Sequence, residues 1–291
     1  MRAFVIAVCI IALCRRLFIF TEASYNGLNP LSIQPFAISS DSENWRDIQS
    51  IWPIANIFAS VNTDTERHLK YIAPQKDEMV IELSNCIIPF LDFLNLTLSQ
   101  PITHTRLENC NITSNPAATI RNISLIGAKS KIKVMDLSYN VVSTAALKDI
   151  SLILAISPYL EKFIFDGNKL SVNQIKILLS KKNNLSTLKH LSLSQCVIED
   201  EHAHTLSLFL KSNRKITHLN LSLNKLSADG YSALDLAFQS GACRELEHLD
   251  LSYNPIGELG VMQLCRTLEA DRLPRLSSLV IKQVQHLRRF Q

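Results

Sequence analysis

One short pattern recurs along most of the chain and restricts the folds that it can form. Its clearest copy spans 246–254 and reads LEHLDLSYN. Side chains of a strand alternate between two faces, so Leu249 and Leu251 should face the interior while their neighbours face the other side. Asn254 marks a buried turn, and a helix should begin near Gly260. The copy therefore predicts one strand, one turn and one helix.

Eight copies can be registered on the position that Asn254 occupies, which we call the anchor position. Its occupants, predicted to form a structural ladder, are Cys86, Cys110, Asn140, Asn168, Cys196, Asn224 and Asn254, with Val284 in a degenerate last copy. Of the sixteen residues three and five positions before the anchors, only Thr105 is polar. Each unit has an apolar strand edge and an apolar helix stripe that it cannot bury alone. Stacked copies must therefore share one core.

The second half of each copy has helical periodicity. In the copy anchored at Asn224, Ser227 is a predicted N-cap, and Gly230, Leu234 and Phe238 fall on one helix face. Units of this length with a full helix resemble the leucine-rich repeats of the ribonuclease-inhibitor-like class, in which Asn or Cys occupies the anchor position. The resemblance covers roughly 79–284.

The resemblance implies an α/β fold, a leucine-rich-repeat solenoid or horseshoe with a concave parallel β-sheet and outer helices. The core of a repeat array is exposed at its ends, so an atypical N-terminal cap is expected. We divide the chain into a signal-like hydrophobic leader at 1–23, an N-terminal cap region at 24–76 and leucine-rich repeats at 77–291. About eight repeats are expected, the last degenerate or truncated.

The resemblance also implies a function in binding other proteins. The class includes protein inhibitors, sensor-like modules, regulators of actin capping and activators of the GTPase Ran. We expect a non-enzymatic protein–protein interaction module that binds a partner on the concave face. The alternatives are a GTPase-activating or actin-regulatory scaffold and a secreted or surface receptor-like recognition protein.

Other function classes find little support in the sequence. It contains no G-x-S-x-G, H-E-x-x-H or phosphate-binding glycine loop, so neither catalysis nor a cofactor is expected. The formal net charge is +4, without a basic stripe, which argues against a nucleic-acid partner. In EDEHAH, His202 and His204 are two residues apart and do not share a helix face, so no metal site is expected.

The candidate binding residues lie between the inward leucines, on the face predicted to be concave. Three consecutive copies place a histidine directly before the second inward residue, at His190, His218 and His248. Adjacent parallel strands lie about 4.8 Å apart, so the three imidazoles should form a ladder whose charge changes near neutral pH. The alternative is that histidine is simply tolerated at an exposed position.

The same face has a mildly acidic character. Carboxylates near the strands, Glu108 included, predict a basic partner surface or, equally, a solvated face. Tyr253 is a candidate contact at the rim. The remaining candidate residues of this face are Ser192, Asn220, Asp250, Asp136 and Asp166.

Two signals conflict about the compartment. Residues 3–14 form a signal-like apolar run, but Arg15 and Arg16 interrupt it, and a run of this length is too short to span a bilayer. Membrane contact is therefore not expected beyond this leader. The 7 cysteines include no C-x-x-C pair and favour a reducing compartment, whereas N-x-S/T sequons, such as those at Asn111 and Asn220, favour the secretory pathway. We expect a cytoplasmic protein, with a secretory or extracellular one as the alternative.

Overall fold

The structure is a computed structural model that describes a defined part of the chain. The described residues are 68–75, 78–84, 87–89, 93–94, 97–98, 101–114, 129–180, 183 and 185–282. The predicted leader, the predicted cap region before His68, the anchor residue Cys86 and the last copy at Val284 lie outside them. The described residues fall into two compact units, 68–188 and 189–282.

The first unit is built on parallel strands with one antiparallel strand at the edge. In chain order its elements are β1 (His68–Gln75), β2 (Glu78–Ser84), β3 (Ile87–Pro89), β4 (Ile102–Glu108), β5 (Asn111–Thr113), β6 (Val134–Asp136), β7 (Val141–Val142), α1 (Thr144–Ala155), β8 (Lys162–Ile164) and α2 (Val172–Leu178). Strands β2, β4, β6 and β8 pair in parallel in that order, and β1 pairs antiparallel with β2.

A second, smaller sheet in this unit was not predicted from the pattern. Strands β3, β5 and β7 follow the anchor positions directly and pair in parallel with one another. Their β-branched residues Ile88, Ile112 and Val142 favour extended backbone. The chain therefore stays extended for two or three residues where the sequence predicted only a turn and a helix.

The second unit follows the predicted plan more closely. Its elements are β9 (His190–Ser192), α3 (Asp200–Ser212), β10 (His218–Asn220), α4 (Ala228–Gln239), β11 (His248–Asp250), α5 (Gly257–Glu269) and β12 (Ser278–Val280). The four strands pair in parallel in chain order. Ser227 caps α4 as predicted, because its hydroxyl accepts a hydrogen bond from the Asp229 backbone. Helix α5 begins at Gly257, earlier than the predicted start near Gly260.

The inward positions form the core of each unit. Leu219, Leu221, Leu249 and Leu251 are at most 2% exposed, and their counterparts in the first unit are at most 3% exposed. Thr105, the polar exception, is also buried. The predicted inward positions are therefore buried, except for the half-buried Ile281, whereas Ser192, predicted to face outward, is buried as well.

The anchor asparagines bind backbone groups of neighbouring repeats. The side-chain amide of Asn224 donates to Leu193 O at 2.8 Å and Leu221 O at 3.0 Å, and its Oδ1 accepts from the backbone N–H of Cys196 and Ile198, each at 2.9 Å. Asn140, Asn168 and Asn254 also bond to backbone of their own and the preceding repeat. Backbone polar groups in the buried turns are thereby satisfied.

Cysteine plays the smaller part in this ladder. The Cys110 thiol donates to Glu108 O at 3.3 Å and the Cys196 thiol to Ser194 O at 3.4 Å. These two residues, Cys243 and Cys265 are buried thiols, and burial raises the pKa of Cys243 to about 12. Buried thiols fit the predicted reducing compartment, which stays a prediction. Within the described chain, every helix is too short or too polar to cross a bilayer.

Candidate functional site

The three histidines of the second unit form one stack. His218 lies opposite His190 on one neighbouring strand and opposite His248 on the other. The ring centroids of His190 and His218 are 5.2 Å apart with planes inclined by 17°, and those of His218 and His248 are 4.1 Å apart at 29°. All three side chains are half-buried. The predicted imidazole ladder is present, and we keep that name for these three residues.

The residues two positions beyond the histidines have a local structural role. Oδ1 of Asn220 accepts from the Ser222 backbone N–H at 3.0 Å and from its hydroxyl at 2.7 Å. Asp250 makes the same pair of bonds to Ser252, at 2.9 and 2.6 Å. These side chains fix the chain as it leaves each strand. One oxygen of Asp250 is therefore already used, and both residues stay half-buried on the strand face.

In the second unit the structure brings most of the predicted residues to one strand face but buries one of them. Ser192 is 3% exposed, whereas the sequence pattern placed it in solvent beside Asn220 and Asp250. Ser194, Ser222 and Ser252 are buried in the same way because they take part in turns and cross-strand bonds, such as the 2.9 Å contact between the Ser194 and Ser222 hydroxyls. We call the face that carries the imidazole ladder, Asn220 and Asp250 the open face.

The predicted acidic residues of the first unit are partly paired. Asp136 accepts hydrogen bonds from Ser138, as Asp250 does from Ser252. Its other carboxylate oxygen lies 3.7 Å from Nε of Arg106, and Glu108 lies 3.0 Å from the same guanidinium. Asp166 is half-buried near the end of β8. Arg106 thus offsets charge that the sequence analysis counted as exposed, which weakens the argument for a basic partner surface.

The rim of the open face is formed by residues with left-handed backbone. Leu223 and Tyr253 directly precede their anchor residues, with φ of 56° and 57°. The backbone N–H of Leu223 donates to Ser252 O at 2.9 Å, which joins the two repeats at this point. Residues other than glycine are uncommon in this region of φ. Here the left-handed backbone directs two apolar side chains outward. Leu223 is 50% exposed and Tyr253 is 43% exposed.

The EDEHAH segment connects two helices. Glu199 pairs with Lys225 at 2.8 Å, and Asp200 accepts hydrogen bonds from the backbone N–H and hydroxyl of Ser227. The hydrogen bond and charge of Lys225 lower the pKa of Glu199. His202 is buried, and its Nδ1 accepts from the Glu199 backbone. Within the described residues, no group of three or more His, Cys, Asp or Glu is placed to hold a metal ion.

A family model described as Leucine Rich repeat matches residues 184–201, 212–234 and 242–265. Each matched segment contains one strand and one anchor residue of the second unit. These three segments are leucine-rich repeats. Each leucine-rich repeat contributes one histidine to the imidazole ladder. With parallel strands alternating with helices, the match confirms the fold class as an α/β leucine-rich-repeat solenoid.

Leucine-rich repeats generally mediate protein–protein interaction, and the coarse functional expectation agrees with this match. No curated protein matches the chain significantly. The match therefore identifies the type of module and leaves its partner to be inferred from the site.

Sequence reasoning missed two residues on the equivalent strand face of the first unit. His104 stands at the histidine position of the first unit, opposite Val80 and Val134, and Arg106 follows it by two residues. The repeat register could have placed both residues on the outward face, because they flank the inward residue Thr105. His104 was not predicted as a candidate because the neighbouring repeats have valine, not histidine, at the equivalent position.

Proposed function

We propose that this protein is a non-enzymatic protein-binding module that contacts its partner through the open face and rim of its second unit. The observation that carries the proposal is the imidazole ladder. Three successive leucine-rich repeats place one histidine each in strand register, and the rings stack at 5.2 and 4.1 Å. Beside this ladder, Leu223 and Tyr253 expose large apolar side chains.

Rigid positioning supports a binding role for these side chains. Strand pairing and the Asn224 and Asn254 bonds fix the backbone on which the ladder and rim stand. A partner therefore does not have to order this surface, and less conformational entropy is lost on binding. Aromatic side chains are also enriched among the residues that contribute most to protein interfaces.

The subclass of the repeats is part of the proposal. From Cys196 to Asn224 to Asn254 the intervals are 28 and 30 residues, and α3, α4 and α5 have 13, 12 and 13 residues. Such long repeats with a full helix support the ribonuclease-inhibitor-like class.

A matched pair of double variants tests the proposal. His218→Ala with Leu223→Ala removes one ladder ring and one rim side chain. His204→Ala with Leu208→Ala removes the same side chains from exposed positions on α3, where Leu208 is 48% exposed. Partners captured by the full chain in extracts of its own cells are identified by mass spectrometry, and their affinities for each variant are measured with purified proteins.

The open-face variant should bind such a partner roughly tenfold or more weakly, while the α3 variant should match the unchanged protein. Thermal unfolding of the three proteins should nearly coincide, because all four side chains are at least partly exposed. A partner that tolerates the open-face variant but loses affinity for the α3 variant would place the interface on the helices and refute the proposal.

A further inference from the structure

The border of the imidazole ladder is positively charged. In the described parts of the loops that lead into β9, β10 and β11, four basic side chains are exposed: Lys189, Arg214, Lys215 and Arg244. The same loops contain two acidic residues, and one of these, Glu245, is paired with Arg275. The other, Glu247, directly precedes His248 and is half-buried. An anionic partner therefore meets a favourable potential here before any imidazole is charged.

His218 is held in a form that can take up a proton without losing its hydrogen bond. Its Nδ1 lies 2.8 Å from the Thr217 hydroxyl, which also donates to Lys189 O at 3.1 Å. In the charged ring both nitrogens carry hydrogen, so Nδ1 donates to the hydroxyl, which can donate its own single hydrogen to the carbonyl. The charged form of His218 therefore keeps this hydrogen bond.

The charged groups around His218 come from the neighbouring strands. On the β9 side these are His190 and Lys189, and on the β11 side they are His248, Glu247 and Asp250. Two charged imidazolium rings at these distances repel one another, which costs free energy. A bound carboxylate removes this penalty, and ligand binding and proton uptake consequently favour each other.

We propose that the imidazole ladder and its basic loop border bind an acidic protein segment, rich in Asp or Glu, and that binding takes up protons on the ladder. This inference rests on the proposed function and adds the chemistry of the partner. It replaces the basic partner expected from the acidic residues, because Asp250 is engaged with Ser252 and the exposed charge beside the ladder is positive.

The test measures binding of a blocked hexaglutamate peptide to the full-length chain at about pH 7.5 and about pH 6.0. Glutamate stays ionised across this range whereas imidazole does not, so a change in affinity reports protonation of the protein. We expect about tenfold tighter binding at the lower pH. Hexaglutamine and hexalysine peptides of the same length test whether charge, and which sign of charge, is recognised.

A double variant, His218→Asn with His248→Asn, should reduce the pH effect to about twofold or less. The matched control is His104→Asn, which removes a histidine from the equivalent position with the same bond to a preceding threonine, 2.9 Å long, but with Val80 and Val134 as strand neighbours. This control should keep the full pH effect. Asparagine is uncharged and polar, and thermal unfolding of each variant shows whether the fold is intact.

Equal affinity for hexaglutamate at both pH values, equal binding of hexaglutamine, or tighter binding of hexalysine would overturn the inference. Persistence of the pH effect in the double variant would also overturn it. These outcomes leave the proposed function standing, because the capture experiment depends on the open face and not on the charge of the partner. Loss of the capture result with a positive peptide result would instead refute the proposed function alone.

Discussion

The two units are built on the same pattern but differ in regularity. In the second unit the anchors Cys196, Asn224 and Asn254 follow one another at 28 and 30 residues, each after a three-residue strand and before a full helix. The first unit has an interval of 24 residues between Cys86 and Cys110, an antiparallel edge strand and a second sheet. The Leucine Rich repeat model matches three segments, 184–201, 212–234 and 242–265, which contain β9, β10 and β11 of the second unit.

This difference decides what the outward side chains can do together. Strand register in the second unit aligns His190, His218 and His248 into one stack. In the first unit the same register aligns His104 with Val80 and Val134. A histidine with the same threonine bond is thus part of a ladder in one unit and isolated in the other. A shared surface therefore requires repetition of the outward residue as well as of the leucines.

The largest expected effect concerns the anchor residues. Asn224→Ala removes bonds to Leu193 O and Leu221 O and leaves the N–H groups of Cys196 and Ile198 without their acceptor. We expect a loss of about 4 kcal/mol in the free energy of unfolding. Asn140→Ala in the first unit, where one N–H group uses the side-chain oxygen, should cost about 2 kcal/mol.

The measurement is denaturant unfolding, with hydrogen exchange to read each unit separately because repeat arrays unfold in parts. Ser212→Ala, at an exposed helix end, is the control and should change stability little. If the two asparagine variants lost equal stability, the second backbone N–H bond to the Asn224 oxygen would add nothing to its contribution.

The sequence predicts the buried half of this molecule better than the exposed half. Inward residues such as Leu219 and anchors such as Asn224 follow from spacing alone, because a strand has a period of two and a buried turn needs its polar groups satisfied. The imidazole ladder followed from the same register. Burial of Ser192 did not, because it depends on how closely neighbouring side chains cover a small hydroxyl. The pairing of Arg106 with Glu108 and Asp136 escaped prediction for a similar reason, since it needs side-chain direction as well as position.

A smaller effect of opposite sign is expected at Thr105. This inward residue is 1% exposed, and its hydroxyl has no hydrogen-bond partner among the described residues. Thr105→Val keeps the shape and matches the apolar residues Ile81 and Met135 beside it. We expect the free energy of unfolding to rise by about 1–2 kcal/mol, because a buried unsatisfied hydroxyl is removed.

Thr97→Val is the matched control for that measurement. Thr97 is equally buried, but its hydroxyl donates to Leu94 O at 2.8 Å. Its replacement should lower stability by about 1 kcal/mol. A stabilising effect of both variants would indicate a general preference for valine, and the unsatisfied hydroxyl of Thr105 would then not account for its result.

The smallest expected effect concerns the contacts that join the starts of neighbouring helices, which differ between the two units. In the second unit α3 and α4 are joined by the ion pair of Glu199 and Lys225, whereas in the first α1 and α2 are joined by a neutral contact of 3.3 Å from Gln174 Nε2 to Thr144 Oγ1. Lys225→Met should raise the pKa of Glu199 towards its ordinary value, because its bonded cation is lost. Carboxyl carbon shifts followed by NMR through an acid titration measure this change.

The sign of the associated stability change follows from proton linkage. The pKa of Glu199 is lower in the folded protein, so its pairing stabilises the fold above the ordinary glutamate pKa and is lost as pH falls through the folded value. Stability of the Lys225→Met variant should therefore approach that of the unchanged protein in acid and fall slightly below it at neutral pH. The difference should be small because both side chains are at least half exposed. The control is Lys215→Met, at an exposed loop lysine, which should leave the pKa of Glu199 unchanged. A change in the pKa of Glu199 in this control would mean that general surface charge, rather than the link between α3 and α4, sets it.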